Sequence, residues 1–443
     1  MWAEYLKIEN IRCFENVSID FKKTREEPCR WITFLGENGG GKSTALQALG
    51  LLLAGPEGAK TLVPRPDGWL REEHTKGIIS TKLHQSNNDP GVWSGEKRTW
   101  KAFGYTLHLT GNQKITINKK DFTEPSIQAA TGATMGWLRQ NAFLPKGIGW
   151  FAVGYGAFRR LTRVSEIITP SLHPSIRYSN FATQFNEDNP LSAFERWMVY
   201  LDYRIAKAKD PDASRKKQLG IAAINEVLPD GVEFDSVTYE GRILFDIGGQ
   251  KVPTIALSDG YRSVLALVGD LIWRLIQAFP DSDDPLKEEG VVLIDELDIH
   301  LHPIWQRDIA GWLQNQFPKL QFIVATHSPF IAAGAGEDAL TYKFNLTEGK
   351  VVVEKVENIY GLNVNDILKS LAFDLISTHS PQTQKKIERY DDLGRKGDQR
   401  TEEEEEEFGQ QSLFMRKARP FGGPSEPGSL EERMEKYIDE NLQ

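Results

Sequence analysis

The sequence predicts an α/β fold: a parallel sheet flanked by helices, with a mixed β lobe at the N-terminal end, a large globular α+β insertion and a partly disordered C-terminal tail. Three observations predict it. The apolar run Trp31-Ile-Thr-Phe-Leu feeds directly into a glycine-rich loop that opens a helix. Two further runs, residues 291–294 and 322–325, have the unbroken apolarity of strands buried on both faces. Lys42 in the loop and Asp295 at the end of the first run are 253 residues apart, so the two halves of the sheet flank a long insert.

In chain order, alternating apolar and polar residues predict two half-buried strands over 5–11 and 17–21, then the strand over 31–35. A helix is expected over 43–53, ending near Gly55-Pro56. Short antiparallel strands are expected over 78–83, 103–110 and 114–118, and another over 149–153. Helical spacing covers 191–207 and 213–227, interrupted by Asp210-Pro-Asp, and a hairpin follows over 232–247 with a short strand over 251–254. A helix over 261–279, the two central strands and a hairpin over 342–356 complete the ordered part. The acidic run 402–407 reads as a solvated, disordered connector, with a short helix over 430–441. The expected organisation is therefore 1–55 for the first half of a head, 56–230 for the insertion, 231–357 for the second half and 358–443 for the tail.

The 443 residues are 40% hydrophobic and 26% charged, enough apolar material for a real core. A net charge of −9 argues against non-specific coating of nucleic acid, though a local basic groove around Arg159, Arg160 and Arg163 leaves DNA contact open. Cys13 and Cys29 form no CxxC pair, so neither a zinc knuckle nor a disulfide framework is suggested. No apolar stretch approaches the roughly 18–20 residues that span a bilayer, and no signal peptide is read; a cytoplasmic protein without membrane contact is expected.

Residues 36–43 match GxxxxGK[ST]. Backbone N–H groups must reach phosphate oxygens closely, which requires glycines, and the following helix N-terminus adds its dipole. Gly36, Glu37, Asn38, Gly39, Gly40 and Gly41 supply the cradle, Lys42 neutralises the outer phosphates, and the Ser43 hydroxyl, followed by Thr44, can ligate Mg²⁺. ATP and Mg²⁺ are the expected ligands. Val291-Val-Leu-Ile ends in Asp295-Glu296, where a buried strand would deliver Asp295 to the metal and Glu296 to the attacking water. Leu257-Ser-Asp-Gly-Tyr-Arg precedes a helix, with Ser258 as its expected cap 37 residues before Asp295. It resembles the ABC signature sequence, which implies Ser258 and Gly260 as phosphate contacts for a second copy. Asp298 and His327, the latter in Ala325-Thr-His-Ser-Pro, complete the order, and their positions resemble those of the interface aspartate and switch histidine of ABC-type ATPases. Gln140 and Gln184 are candidates for a metal-sensing amide.

This ordered set resembles the ABC-type ATPases. Asp295-Glu-Leu-Asp-Ile-His-Leu-His-Pro resembles the SMC-, RecF- and OLD-like branch, and the Pro-Thr that follows the paired carboxylates in transporter heads is absent. Gly154-Tyr-Gly-Ala-Phe-Arg-Arg, Phe181-Ala-Thr-Gln-Phe and residues 358–371 are similar to the PtuA family of Septu systems and some retrons. The insertion shows no sustained heptads, so a globular lobe is expected where SMC proteins carry a coiled coil. The 116 residues after His327 show no strand-borne DxD of the nuclease domain found in OLD proteins. The resemblance implies ATP hydrolysis, head-to-head dimers or larger homo-oligomers, and control of a separate effector nuclease of HNH type in anti-phage defence. A RecF-like DNA clamp is the alternative.

Overall fold

In the computed structural model the described residues are 1–24, 27–91, 94–95, 98–99, 101–117, 120–144, 148–159, 177–186, 193–228, 231–357, 359–370, 372–373, 377 and 379–417. They fall into two compact units, Met1–Asp374 and Leu375–Gln443. Arg160, Arg163 and the helix expected over 430–441 lie outside the described residues.

The first unit begins with β1 (Trp2–Ile11), β2 (Phe14–Asp20) and β3 (Trp31–Gly36), followed by helix α1 (Lys42–Leu62). Gly55 breaks the helix with φ 81°, as expected, but α1 then resumes through Pro56 to Leu62 rather than ending there. Proline fits the first turn of a restarted helix, where its missing N–H has no partner to lose. Strands β4 (Lys76–His84), the two-residue pair β5 (Ser94–Gly95) and β6 (Arg98–Thr99), β7 (Ala102–Ile117) and β8 (Lys120–Ala129) follow. The strands expected over 103–110 and 114–118 are one strand, β7, whose register against β8 shifts between Thr110 and Gln113. That irregularity, at Gly111, is where the alternation breaks in the sequence.

Helix α2 (Ala133–Asn141), strand β9 (Phe151–Tyr155) and helices α3 (Ala182–Phe185), α4 (Ala193–Ala208) and α5 (Pro211–Val227) fill the middle of the chain. Asp210 starts α5 by accepting from the N–H groups of Asp212 and Ala213, with Pro211 in the first turn. Strands β10 (Val232–Val237), β11 (Ile243–Ile247) and β12 (Gln250–Pro253) form a three-stranded meander. Helix α6 (Asp259–Ala278), β13 (Gly290–Ile294), α7 (Pro303–Gln316), β14 (Leu320–Ala325), α8 (Pro329–Gly334), β15 (Leu340–Thr347), β16 (Lys350–Val356) and α9 (Val364–Lys369) complete the unit.

Two sheets organise these elements. One is five-stranded in the order β2-β1-β4-β7-β8, and the other six-stranded in the order β16-β15-β3-β14-β13-β9. In the second, β15, β3, β14, β13 and β9 run parallel and β16 closes the edge antiparallel. Residues 56–230 thus supply strands to both sheets as well as helices. Alternate residues of the parallel sheet enter different cores. Val291, Leu293, Ile323 and Phe34 pack with α1 and the five-stranded sheet, while Val292, Ile294, Phe322 and Trp31 pack with α4, α5, α6 and α7. Burial on both faces is why these strands read as unbroken apolar runs.

The second unit is a helical hairpin of α10 (Pro381–Lys396) and α11 (Glu402–Lys417). The acidic run 402–407, expected to be disordered, is helical. Thr401 and Glu404 form a reciprocal capping pair, Glu404 N–H on the Thr401 hydroxyl and Thr401 N–H on the Glu404 carboxylate. The remaining charge sits favourably at a helix N-terminus and is matched by Arg389 on Glu407, Lys396 on Glu404 and Arg400 on Glu405. Tyr390 and Phe408 stack at 4.7 Å.

Candidate nucleotide-binding site

The glycine-rich loop leaves β3 and enters α1 through backbone that side chains tolerate poorly. Gly36, Gly39 and Gly41 have φ values of 146°, 80° and 88°. A Cβ on Gly36 would lie 2.4 Å from the Phe344 carbonyl oxygen, and one on Gly41 would lie 2.8 Å from both Cys13 Sγ and the Phe14 ring. The loop is therefore held by β15 on one side and the β1–β2 turn on the other. Lys42 is buried and donates to the carbonyls of Gly36 and Glu37 at 2.8 and 3.0 Å. Burial lowers its affinity for a proton, and Asp295, Glu296 and Asp298 act in the opposite direction.

Two strands away, β13 ends in the paired carboxylates. The Asp295 N–H donates to the Tyr155 carbonyl at 2.9 Å, continuing the ladder with β9. Burial raises the Asp295 pKa, and the Ser43 side chain is the largest influence favouring its charged form. Asp295 Oδ1 is buried and has no hydrogen-bond partner. An orphaned carboxylate oxygen beside a hydroxyl fits Mg²⁺, which binds through one or two protein oxygens with phosphate and water completing its shell. No cluster of three His, Cys, Asp or Glu able to hold a metal occurs among the described residues.

Glu296 is half-buried and left-handed, with φ 46°. Asp298 Oδ1 accepts from the Thr326 hydroxyl and from the His327 N–H at 3.2 Å. The loops after β13 and β14 are thereby joined within one chain. His327 is half-buried, and burial, then the positive charge of Lys42, lowers its pKa below the ordinary histidine value. Gln306 ties the same corner together, its amide donating to the Leu301 carbonyl at 2.9 Å and its oxygen accepting from Ser328.

Ser258 occupies the N-cap position of α6, but its side chain makes no capping bond, and the residue is exposed. The expectation that Ser258 caps the helix is corrected: its hydroxyl is left to solvent. Gly260 packs against the loop after β13, where a Cβ would lie 2.8 Å from the His300 carbonyl oxygen.

The candidate metal-sensing amides do not join the first turn of α1. Gln140 is exposed on α2. Gln184 is buried with both side-chain polar atoms unpartnered, and its amide lies against Gly50 and Gly154. Arg159, expected either in a solvated loop or in contact with nucleotide, DNA or a partner, is buried, which corrects the solvated-loop reading. Its guanidinium donates to the carbonyls of Gly156, Asp295 and Glu296 at 3.0, 2.5 and 2.9 Å. Arg12 is a further residue the motif search missed. It has φ 46°, reaches the first turns of α1 at Thr44 and Gln47, and stacks 4.3 Å over Trp69. Arg12 falls within no motif, and Arg159, although part of Gly154-Tyr-Gly-Ala-Phe-Arg-Arg, meets the paired carboxylates' backbone only through the fold.

Two family profiles match the chain, "AAA domain" over residues 5–129 and "AAA domain, putative AbiEii toxin, Type IV TA system" over residues 138–333. The chain is 27% identical over 392 residues to the Septu protein PtuA of Bacillus mycoides (strain KBAB4), covering 88% of this chain and 47% of that one. It is 33% identical over 150 residues to the Retron Vc95 probable ATPase of Vibrio cholerae serotype O1 biovar El Tor, covering 34% and 29% respectively. The chain thus spans about half the length of the first relative and less of the second. Among solved structures, a "SmcHead bound to the C-winged helix domain of ScpA" covers 81% of this chain and 98% of its own at 15% identity, with a TM-score of 0.47. AAA-domain profiles thus match both halves of the chain, whose motifs stand in the ABC-type order, and the chain is similar in sequence to PtuA and to a retron probable ATPase.

Proposed function

We propose that this chain binds Mg–ATP in the residue 36–44 loop and hydrolyses it. In this reading it closes head-to-head with a second copy and uses the ATP state to control a partner effector nuclease in anti-phage defence. The observation that carries the chemistry is the approach of the Ser43 side chain, at the start of α1, to the Asp295 carboxylate at the end of β13, whose Oδ1 is buried and has no partner. Mg²⁺, when bound, neutralises charge developing on the phosphates. Ser43 and Asp295 would hold it, Asp295 through water. Lys42 exchanges the Gly36 and Glu37 carbonyls for phosphate oxygens, a swap that returns a buried cation to anionic partners. Glu296 orients the attacking water and accepts its proton. His327, kept neutral by burial, can hydrogen-bond the outer phosphate.

The exposed Ser258, whose side chain makes no capping bond, supports a composite site, because its hydroxyl stays open to an anion brought by another copy. The relatives' names motivate the defence role. No helix among the described residues is long and apolar enough to cross a membrane. The alternative of a RecF-like DNA clamp loses one of its basic-groove residues, since Arg159 is buried. The test is a phage challenge beside an ATPase assay: Lys42→Ala is expected to abolish turnover and protection together. Full protection with Lys42→Ala would overturn the proposal.

A further inference from the structure

We infer that Arg159 is a positioning residue for hydrolysis, clamping the backbone of Asp295 and Glu296 so that Glu296 stays in its left-handed conformation. The inference rests on the reading of this site as an ATP-hydrolysing one.

A non-glycine residue with positive φ is strained and persists only where its surroundings over-determine it. Glu296, at φ 46°, lies two residues past the end of β13 and its carboxylate has to face the site. The two consecutive carbonyls of Asp295 and Glu296 both accept from one guanidinium, Nη1 on the first and Nη2 on the second. Successive carbonyls in an extended strand point in opposite directions, so one planar fork can take both only when the chain turns between them, as it does at Glu296. A flip of the Asp295–Glu296 peptide would relieve the positive φ, but it would withdraw the Asp295 carbonyl from the fork.

The anchor is itself fixed. Arg159 Nη1 also donates to Gly156, and the Gly156 N–H donates to the Thr183 hydroxyl, which in turn donates to the Gly154 carbonyl. A Cβ on Gly156 would lie 2.1 Å from the Thr183 carbonyl oxygen, so α3 presses directly on this loop. Burying a guanidinium is costly unless its donors are satisfied and anions lie near. Here it has three carbonyl acceptors, and Asp295, Asp298 and Glu296 are the charges that favour its protonated form. Its N–H groups on the carbonyl side are spent on backbone, which makes it a clamp on the carboxylate loop rather than a phosphate ligand.

The test uses the full chain with Arg159→Met and Arg159→Lys. Three quantities are read: ATP turnover, binding of a fluorescent ATP analogue with Mg²⁺, and thermal unfolding. Arg159→Met is expected to lower kcat by about 30-fold or more while nucleotide affinity stays within about threefold. Arg159→Lys, which keeps the charge and loses the fork, is expected to fall nearly as far. Turnover within threefold of wild type in either variant would overturn the inference, as would a loss of nucleotide affinity that matches the loss of turnover. If Arg159→Met fails to fold, the lysine variant alone decides on the same measures. Absence of turnover in the wild type would overturn the hydrolytic reading and this inference together, whereas a fast Arg159 variant beside a slow Glu296→Gln overturns only the inference.

Discussion

The Asp298 carboxylate accepts the backbone N–H of His327 at 3.2 Å, and the same oxygen takes the Thr326 hydroxyl. Two loops separated by α7 and β14 are therefore tied together, so that under the proposed function a change at Asp295–Glu296 can reach His327 within one copy. Asp298→Ala removes both bonds. The expected result is a turnover drop of about tenfold or more with nucleotide affinity little changed, because no phosphate-loop contact is lost. Steady-state kinetics beside analogue binding checks it, and equal losses in both would count against the linkage.

Glu296→Gln keeps the shape of the side chain and removes its basicity. Turnover is expected to fall by roughly 100-fold or more, with ATP retained and a closed assembly accumulating. Light scattering with and without Mg–ATP measures the assembly. A variant that hydrolyses at the wild-type rate would remove Glu296 from its role.

Ser258 is exposed and caps nothing, so Ser258→Arg should leave the fold of a single chain intact, with unfolding temperature shifted by no more than about 2 °C. It should abolish ATP-dependent association. Mixed with Lys42→Ala, it offers a sharper reading. Each mixed pair has one site with both defects and one site with neither, so mixing should restore turnover that neither variant has alone. No restoration at any ratio would argue against a site shared between copies.

Asp295 carries a sign that can be checked. Burial raises its folded pKa above the ordinary carboxylate value. Such a group contributes stability below the unfolded pKa and loses it as pH rises through the folded one, so at neutral pH the ionised form weighs against the fold. Asp295→Asn is expected to abolish turnover yet raise the nucleotide-free unfolding temperature by roughly 1–3 °C at pH 7.5. The gain should vanish at acidic pH, where wild-type Asp295 is already protonated. A variant less stable than wild type at pH 7.5 would contradict this account.

Two glycines form a paired test of packing. Gly156→Ala places a methyl 2.1 Å from the Thr183 carbonyl oxygen and should cost about 1–3 kcal/mol. Gly136→Ala lies within α2, where an added Cβ meets nothing within 4 Å, and should stabilise by up to about 1 kcal/mol through helix propensity. Denaturant unfolding of the two variants reads both signs.

The central strands were legible because burial on both faces writes itself as unbroken apolar runs, and the loop was legible because glycine is the residue that its dihedrals demand. Asp210-Pro211-Asp212 reads in the sequence only as an interruption between two helices, although it is the cap and first turn of α5. The capping pair of Thr401 and Glu404 was just as local, but the charge of the residues that followed obscured it. Arg159 and Arg12 could not be found this way: their partners lie 136 and 32 residues away, and an arginine beside glycines looks the same whether it is buried on carbonyls or solvated. Gln184 was one of two candidates for a metal-sensing amide, and residue type alone could not report that its amide lies against Gly50 and Gly154.

The neighbouring strands β3, β14, β13 and β9 end on the same side of their sheet, and each releases one working part: the glycine loop, His327, the paired carboxylates and Arg159. Adjacent strands stand about 4.8 Å apart, so the sheet serves as a ruler on which these parts are spaced in fixed steps. Their separations are set by ladder hydrogen bonds rather than by loop length, and loops may vary freely behind them. The ruler also has a parity. One residue inserted into β13 ahead of Asp295 would exchange the faces of Val291 through Ile294 and turn the carboxylate off the scale, even with every site residue still present.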